Sequence, residues 1–390
     1  MEDNMILVFD PQLTGHHSEY IGHLVEHIYQ RPQGMKVTFV VHPEFASRFP
    51  DIRHKAKRSP EIEWIGLHQE EISKITQGNM ASRSNAEFRI MDKYATTFQA
   101  DHVIALYFNT IQLALSYQRP RYSISGILFL QFFRMERGNL KDKLKYYRKY
   151  LTTWLYTKNK RLTKVFILND DQTVDFLNTT FRTSIFEMLS DPIPNLKPLE
   201  GFDIYSHYKI PPTRKILLHI GSLGDRKGTY ETLASTRYID KEAQADYTLL
   251  LVGKVRSKAE SVKLNEAISA CQKETDCQII WDEQFVSNDM MKSLFDRCDV
   301  VLMPYKNPEA SSGILGHAAN SGKPVVTVDK GLLGHIVKRE GLGVLVNNVD
   351  PVELGAAIPR AVRFRPSRER LGEFVKKGSQ EVFADLLMTS

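Results

Sequence analysis

The chain has little of what marks a secreted, membrane-spanning or metal-dependent protein. It has three cysteines in 390 residues, Cys271, Cys277 and Cys298, all in the second half and without a paired zinc spacing. An odd set of this kind excludes a disulfide framework and reads as reduced packing residues. No apolar run approaches the ~20 residues of a membrane-spanning helix. Glu2 and Asp3 stand where a signal peptide carries positive charge, so the expected location is the cytoplasm, with the membrane's cytoplasmic face as an option. No two aspartates lie two apart, which removes the Asp-x-Asp form of metal site, and no Gly-x-Gly-x-x-Gly occurs. No cofactor and no metal are expected. There is no low-complexity tract, and no internal repeat beyond a shared strand-helix rhythm.

What is present is an ordinary globular composition, 42% hydrophobic, in a chain longer than one core usually supports. Apolar runs of strand length alternate with amphipathic stretches, the pattern of βαβ units in a mainly parallel sheet. The first half offers Met5 to Phe9, Lys36 to Val41, Glu61 to Ile65, His102 to Leu106, Tyr122 to Leu130 and Lys164 to Leu168. The second half restarts with Lys215 to Ile220, Tyr247 to Val252, Gln278 to Trp281, Asp299 to Met303, Pro324 to Val328 and Gly343 to Val346. Between them Ser190 to Pro198 holds three prolines and reads as a linker. The expected fold is α/β, two doubly wound Rossmann-like domains over 1–196 and 197–372, with ligands in a cleft at the carboxyl ends of the strands.

Two segments of the second half carry chemistry. Glu309 follows the strand at Asp299 to Met303, and Ser311, Ser312 and Gly313 then open a helix through Ile314 and Leu315. The first amides of a helix have no intrahelical partner and carry the positive end of its dipole, so they suit a diphosphate. The plainer reading is a capped helix with Glu309 merely solvated. Upstream, Lys215 to Ile220 runs into Gly221-Ser-Leu-Gly-Asp-Arg-Lys-Gly228 and a helix, a strand-turn-helix that can cradle phosphate but is common in α/β proteins.

Together these segments resemble retaining glycosyltransferases of the GT-B fold, in the large family with two glutamates separated by seven residues. Ala319-Asn-Ser-Gly-Lys-Pro-Val-Val326 matches that family's downstream pattern and fixes the register, placing Glu309 on the first glutamate and His317 where the second would be. The resemblance implies that Glu309 contacts the donor hexose, that position 317 meets the ribose, and that Lys227 meets the donor diphosphate. Ser222 takes the place of the family's arginine, and Arg226 is a candidate to supply that cation. Gly221, Ser222 and the amides of Ser312 to Leu315 complete the implied donor site, with the base near Trp281 to Val286. The resemblance also implies that a C-terminal helix, about 373–390, returns to complete the first domain.

In the first domain, Gly15 in the turn after the first strand permits close backbone approach, and the resemblance sets this loop opposite the donor diphosphate. His16, His17 and Glu19 then become cleft candidates; as residues alone they serve equally as polar groups at a helix start. The family often carries a histidine after a later strand; here Asn109 and Ser125 are the candidate substitutes.

Arg134 to Lys164 carries eleven Lys or Arg against Glu136 and Asp142, a local +9 in a chain of net +6, so the remainder is net −3. Tyr146, Tyr147, Tyr150, Leu151, Trp154 and Leu155 recur there at helical spacing. Such an element suits an anionic membrane surface; a solvated helix packing its own domain is the alternative, and nucleic acid is disfavoured by the phosphate-loop motifs. The implied function is transfer of a hexose from a nucleotide-sugar, UDP- or GDP-linked, to a glycan or lipid-linked acceptor in surface polysaccharide or glycolipid synthesis. The rivals are a nucleotide-sugar 2-epimerase and a catalytically silent scaffold.

Overall fold

The computed structural model describes residues 5–31, 34–129, 131–135, 137–309 and 312–390. The chain divides into two compact units, one formed by residues up to Asp191 together with Gln380–Ser390, the other by Pro192–Ser379.

The first unit is built on a seven-stranded parallel sheet in the order β3-β2-β1-β4-β5-β6-β7. Its strands are β1 (Met5–Asp10), β2 (Lys36–Val41), β3 (Ile62–Gly66), β4 (His102–Ala105), β5 (Ser123–Ile127), β6 (Leu162–Leu168) and β7 (Phe186–Leu189). Parallel sheets are covered on both faces, which is why these strands read as continuous apolar runs rather than alternating ones. Leu7, Phe9 and Val103 face one core, beneath helices α2 (Met80–Thr97) and α4 (Leu140–Tyr156). Ile6, Val8 and Phe39 face the other, beneath α1 (His17–Gln30). Between α2 and α4 lies the short α3 (Gln112–Leu115).

The second unit has a six-stranded parallel sheet in the order β10-β9-β8-β11-β12-β13. Its strands are β8 (Lys215–Ile220), β9 (Tyr247–Val252), β10 (Gln278–Asp282), β11 (Val300–Leu302), β12 (Val325–Val328) and β13 (Gly343–Val346). The helices that matter for its site are α5 (Thr229–Ser235), α6 (Asn288–Arg297) and α7 (Gly313–Asn320). Cys271, Cys277 and Cys298 are buried and unbridged in this unit.

The chain leaves the second unit after α8 (Arg368–Lys377) and ends in α9 (Gln380–Met388). Phe383, Ala384 and Leu387 of α9 are fully buried in the α1 core of the first unit. The Phe383 ring lies 4.8 Å from that of Tyr20, and Arg31 pairs with Glu381.

All twelve strands expected from the sequence are present to within three residues at each end. The expected strand from Tyr122 ends at Ile127, and Leu130 lies outside the described residues. The thirteenth strand, β7, was not expected. It is a four-residue edge strand with only its end residues buried, so it lacks both the length and the apolar run that betray its neighbours. Among the described residues no helix is long and apolar enough to cross a membrane, and no cluster of three His, Cys, Asp or Glu could hold a metal ion.

Both sheets reverse their strand order beside their first strand, between β1 and β4 in one and between β8 and β11 in the other. Open α/β sheets bind ligands at the carboxyl end of such a crevice.

Candidate active site

In the second unit the exit of β8 into this crevice is a glycine-rich turn. β8 passes into Gly221-Ser-Leu-Gly224, a 3-10 turn at Asp225–Lys227, and α5. Gly228 and Gly253 both have positive φ, and a Cβ at Gly228 would stand 2.1 Å from the Pro304 carbonyl oxygen. A Cβ at Gly253 would stand 1.8 Å from that of Gly221. Glycine is therefore required where the ends of β8, β9 and β11 touch backbone to backbone.

The loop is pinned from beneath by His219, which burial holds neutral by pushing its imidazolium down to about 4. Its Nδ1 lies 2.9 Å from the Leu302 carbonyl, which can only accept, so Nδ1 carries the proton and Nε2 accepts from the Thr229 hydroxyl, also at 2.9 Å. The same hydroxyl accepts the Gly224 N–H at 2.9 Å. One buried imidazole thus ties β11, α5 and the glycine loop together.

Lys227 is half-buried, its Nζ 3.7 Å from the centroid of the Tyr305 ring. Burial, and to a lesser degree the neighbouring Arg226 guanidinium, push its ammonium down to about 8. Tyr305 is itself buried, and its hydroxyl lies 3.5 Å from Ser312 Oγ at the start of α7. Tyr305 therefore joins the cation of one segment to the helix start of the other. Lys306 clamps the 3-10 turn: its N–H donates to the Arg226 carbonyl at 3.1 Å, and its ammonium meets Asp225 at 2.5 Å and Glu231 at 2.7 Å.

Glu309 is exposed on the loop between β11 and α7. Ser312 is the N-cap residue of α7, and the first-turn amides of Gly313 and Ile314 have no partner within the helix. Leu315 does not belong to this set. Its N–H donates to the Ser312 carbonyl at 2.9 Å and its side chain is core, because the helix opens with a tight turn. His317, one turn further on, is buried with its ring stacked 5.5 Å from Phe295. Ser311 lies outside the described residues. Beside the glycine loop is a mainly apolar cavity of about 350 Å³, reached by Gly221, Ser222, Lys254, Gln284, Phe285 and Ile314. It includes part of the Trp281 to Val286 stretch expected to meet a base, and the Trp281 indole donates to the Gly253 carbonyl at 3.1 Å.

In the first unit the same crevice is lined by side chains. Asp10, the last residue of β1, is fully buried and accepts the Gln12 N–H at 3.1 Å. Its other oxygen lies 2.7 Å from His17 Nδ1. The His17 ring is enclosed by Tyr107 at 5.5 Å and Phe129 at 5.6 Å. An Nδ1–H given to Asp10 leaves Nε2 of His17 as the acceptor. His16 is exposed and bonded to Glu19 at 3.2 Å, a contact that raises its pKa. Gly15 has φ +80°, and a Cβ there would come no closer than 3.9 Å to His17. Asn109 accepts the Phe129 N–H at 2.9 Å, tying the exits of β4 and β5.

Ser125 must be withdrawn from the site. It is fully buried within β5, 2.8 Å from His102 Nε2 and 2.6 Å from the Ser390 hydroxyl, and satisfies an internal network. Sequence reasoning missed Asp10, Tyr305 and His219 as site residues. A carboxylate closing an apolar strand was a usable signal for Asp10; Tyr305 and His219 carried none, since each acts only through a partner distant in sequence.

Residues 204–378 match the family model of glycosyl transferases group 1. The chain is similar over 98% of its length, and 95% of the other, to the structure of WaaG, a glycosyltransferase involved in lipopolysaccharide biosynthesis, with a TM-score of 0.58 at 15% identity. The sucrose-phosphate synthase of Thermosynechococcus elongatus matches 100% of this chain over 98% of its own, with a TM-score of 0.66 at 13% identity. Anabaena Alr3699/HepE, solved in complex with UDP and glucose, matches 100% of this chain over 97% of its own, with a TM-score of 0.60 at 14% identity. No curated protein sequence matches the chain. The fold is thus that of GT-B glycosyltransferases, and the family match lies on the unit that carries the glycine loop, Lys227 and α7.

Proposed function

We propose that this protein is a glycosyltransferase that moves a hexose from a UDP- or GDP-sugar to a glycan or lipid-linked acceptor, with retention and without a metal. The observation that carries this reading is the convergence, through Tyr305, of Lys227 and the start of α7 beside a base-sized cavity. A diphosphate needs cations and oriented amides, and it needs them most as the sugar leaves and negative charge collects on it. Lys227 and Arg226 supply the charge, Gly313 and Ile314 the amides, and Glu309 accepts from the hexose hydroxyls. The glycosidic carbon loses its bond to the diphosphate oxygen and gains one to the acceptor oxygen on the same face. The acceptor proton passes to the departing phosphate, so no strong protein base is needed.

A thermal-shift panel of UDP-, GDP- and ADP-sugars tests the donor, and product analysis with a membrane extract tests transfer. Stabilisation by one nucleotide class with glycosylated product supports the reading. Conversion of donor without acceptor would instead indicate an epimerase, and binding without turnover a silent scaffold.

The acceptor's setting is proposed from α4. Its inward face is Tyr146, Tyr150, Thr153 and Tyr156, which corrects the single aromatic edge expected from the sequence. Leu140, Leu144, Tyr147, Leu151 and Trp154 form an exposed stripe at helical spacing instead, flanked by Lys141, Lys145 and Arg148. The surrounding +9 includes Glu136, which lies outside the described residues. An apolar stripe beside cations suits an anionic membrane surface. Binding to vesicles that rises with anionic lipid and weakens with salt supports this; indifference to such vesicles at low salt refutes it.

A further inference from the structure

The first unit holds a cavity of about 300 Å³ between α2 and α4, at the carboxyl end of β4. Three cations reach it, Arg83 from α2 and Arg148 and Lys149 from α4, and no carboxylate is among its described lining residues. Thr110, Thr152 and Tyr107 complete the part of the wall that matters here. Arg83 spends one donor, Nε, on the Ile75 carbonyl at 3.1 Å. No described carboxylate lies within ion-pair distance of Arg83 or Arg148.

We infer that this cavity binds a phosphate group carried by the acceptor. The inference rests on the glycosyltransferase reading for the word acceptor, and on the cavity alone for the anion. Guanidinium groups present planar forks that match phosphate oxygens, and two of them on one cavity make a polydentate anion site. Tyr107 belongs both to this wall and to the enclosure of His17, so a molecule held by its phosphate at Arg83 and Arg148 extends toward the Asp10–His17 pair.

One further observation agrees. Behind Thr110 lies Glu87, only 2% exposed, with Oε1 unpartnered. Burial raises its carboxyl to about 8, so at neutral pH it is a neutral acid and does not cancel the positive charge of the cavity.

The test uses the full chain with excess UDP, so that the phosphate loop of the second unit is occupied. Glucose 6-phosphate, decyl phosphate and uncharged glucose are titrated calorimetrically. A phosphate-bearing probe should bind where glucose does not, and Arg83→Gln with Arg148→Gln should weaken it by at least about tenfold, the loss of a charge-assisted contact. UDP affinity should not change. Lys227→Ala should leave phosphate binding intact. Should the double variant unfold, Arg148→Gln alone, on an exposed stretch of α4, gives the same reading with a smaller loss. Tighter decyl phosphate identifies a lipid-borne phosphate and tighter glucose 6-phosphate a soluble one; either supports the site. Phosphate probes that bind no better than glucose, or equally well to the arginine variants, overturn it. If neither UDP nor GDP binds the unmodified protein while the phosphate probes bind through the arginines, the donor reading falls and the anion site stands.

Discussion

The two units repeat one plan, a parallel sheet whose order reverses beside its first strand, yet they equip that crevice in opposite ways. In the second unit the exit of β8 is glycine and backbone, with one lysine held over a tyrosine ring. In the first, the exit of β1 is a buried carboxylate, an imidazole and two aromatic rings. A crevice of amides offers directed partial charges that need no reorganisation, which suits a ligand of fixed chemistry such as a diphosphate. A crevice of side chains can be re-equipped residue by residue without moving the strands, which suits the variable partner of a reaction.

The sharpest way to break this contrast is Lys227→Ala. If the lysine neutralises a leaving diphosphate, turnover should fall roughly 100- to 1,000-fold, more than donor affinity does. Steady-state kinetics separating kcat from KM check this, and an unchanged kcat would remove the second crevice from the chemistry.

Next comes the backbone itself. Gly253→Ala places a Cβ 1.8 Å from the Gly221 carbonyl oxygen and should cost about 3 kcal/mol or more, whereas Gly15→Ala has only its φ to strain and should cost about 1 to 2 kcal/mol. Equal losses of Tm in the two variants would show that the glycines of the units are not different in kind.

Glu309→Gln keeps size and removes the charge proposed to accept from sugar hydroxyls; transfer should drop at least about tenfold while nucleoside diphosphate binding persists. Transfer at the original rate would leave Glu309 a solvated loop residue.

The mildest effect is in pH. Because Lys227 titrates at about 8 in the free protein, its charge fades as pH rises through that value, and donor affinity should weaken several-fold between pH 7 and pH 9. A diphosphate favours the ammonium, so binding near pH 8 should take up a proton, detectable as a buffer-dependent calorimetric heat. For stability the sign is opposite. The lowered pKa penalises the folded state at pH values below about 8, and that penalty disappears as pH rises toward the unfolded value of 10.5. Both dependences should vanish in Lys227→Ala, and Arg226→Ala should show a smaller kinetic loss than Lys227→Ala.

The sheets could be read from the chain because strands buried on both faces leave runs such as Lys215 to Ile220 that nothing else explains. The β7 strand could not, being short and half-exposed at an edge. The second crevice was readable for a related reason: Gly221, Gly224 and Gly228 are separated by fixed short spacings, and their job is local. Ser125 failed the same test. It was a candidate only through the family resemblance, as a substitute for a histidine, and the structure places it inside β5 with its hydroxyl bonded to His102 and Ser390.

The sequence by itself determined two parallel α/β sheets, the linker between them and the presence of a glycine-rich loop ahead of a helix. These depend on periodicity and on backbone freedom, which adjacent residues set among themselves. Only tertiary structure decided that Tyr305 would join Lys227 to Ser312, that His219 would hold the glycine loop, that Asp10 would orient His17, and which stripe of α4 would stay exposed. Each of those is a meeting of groups from different strands or helices. Such meetings are fixed by how the cores of the two units close, and no spacing along the chain encodes them.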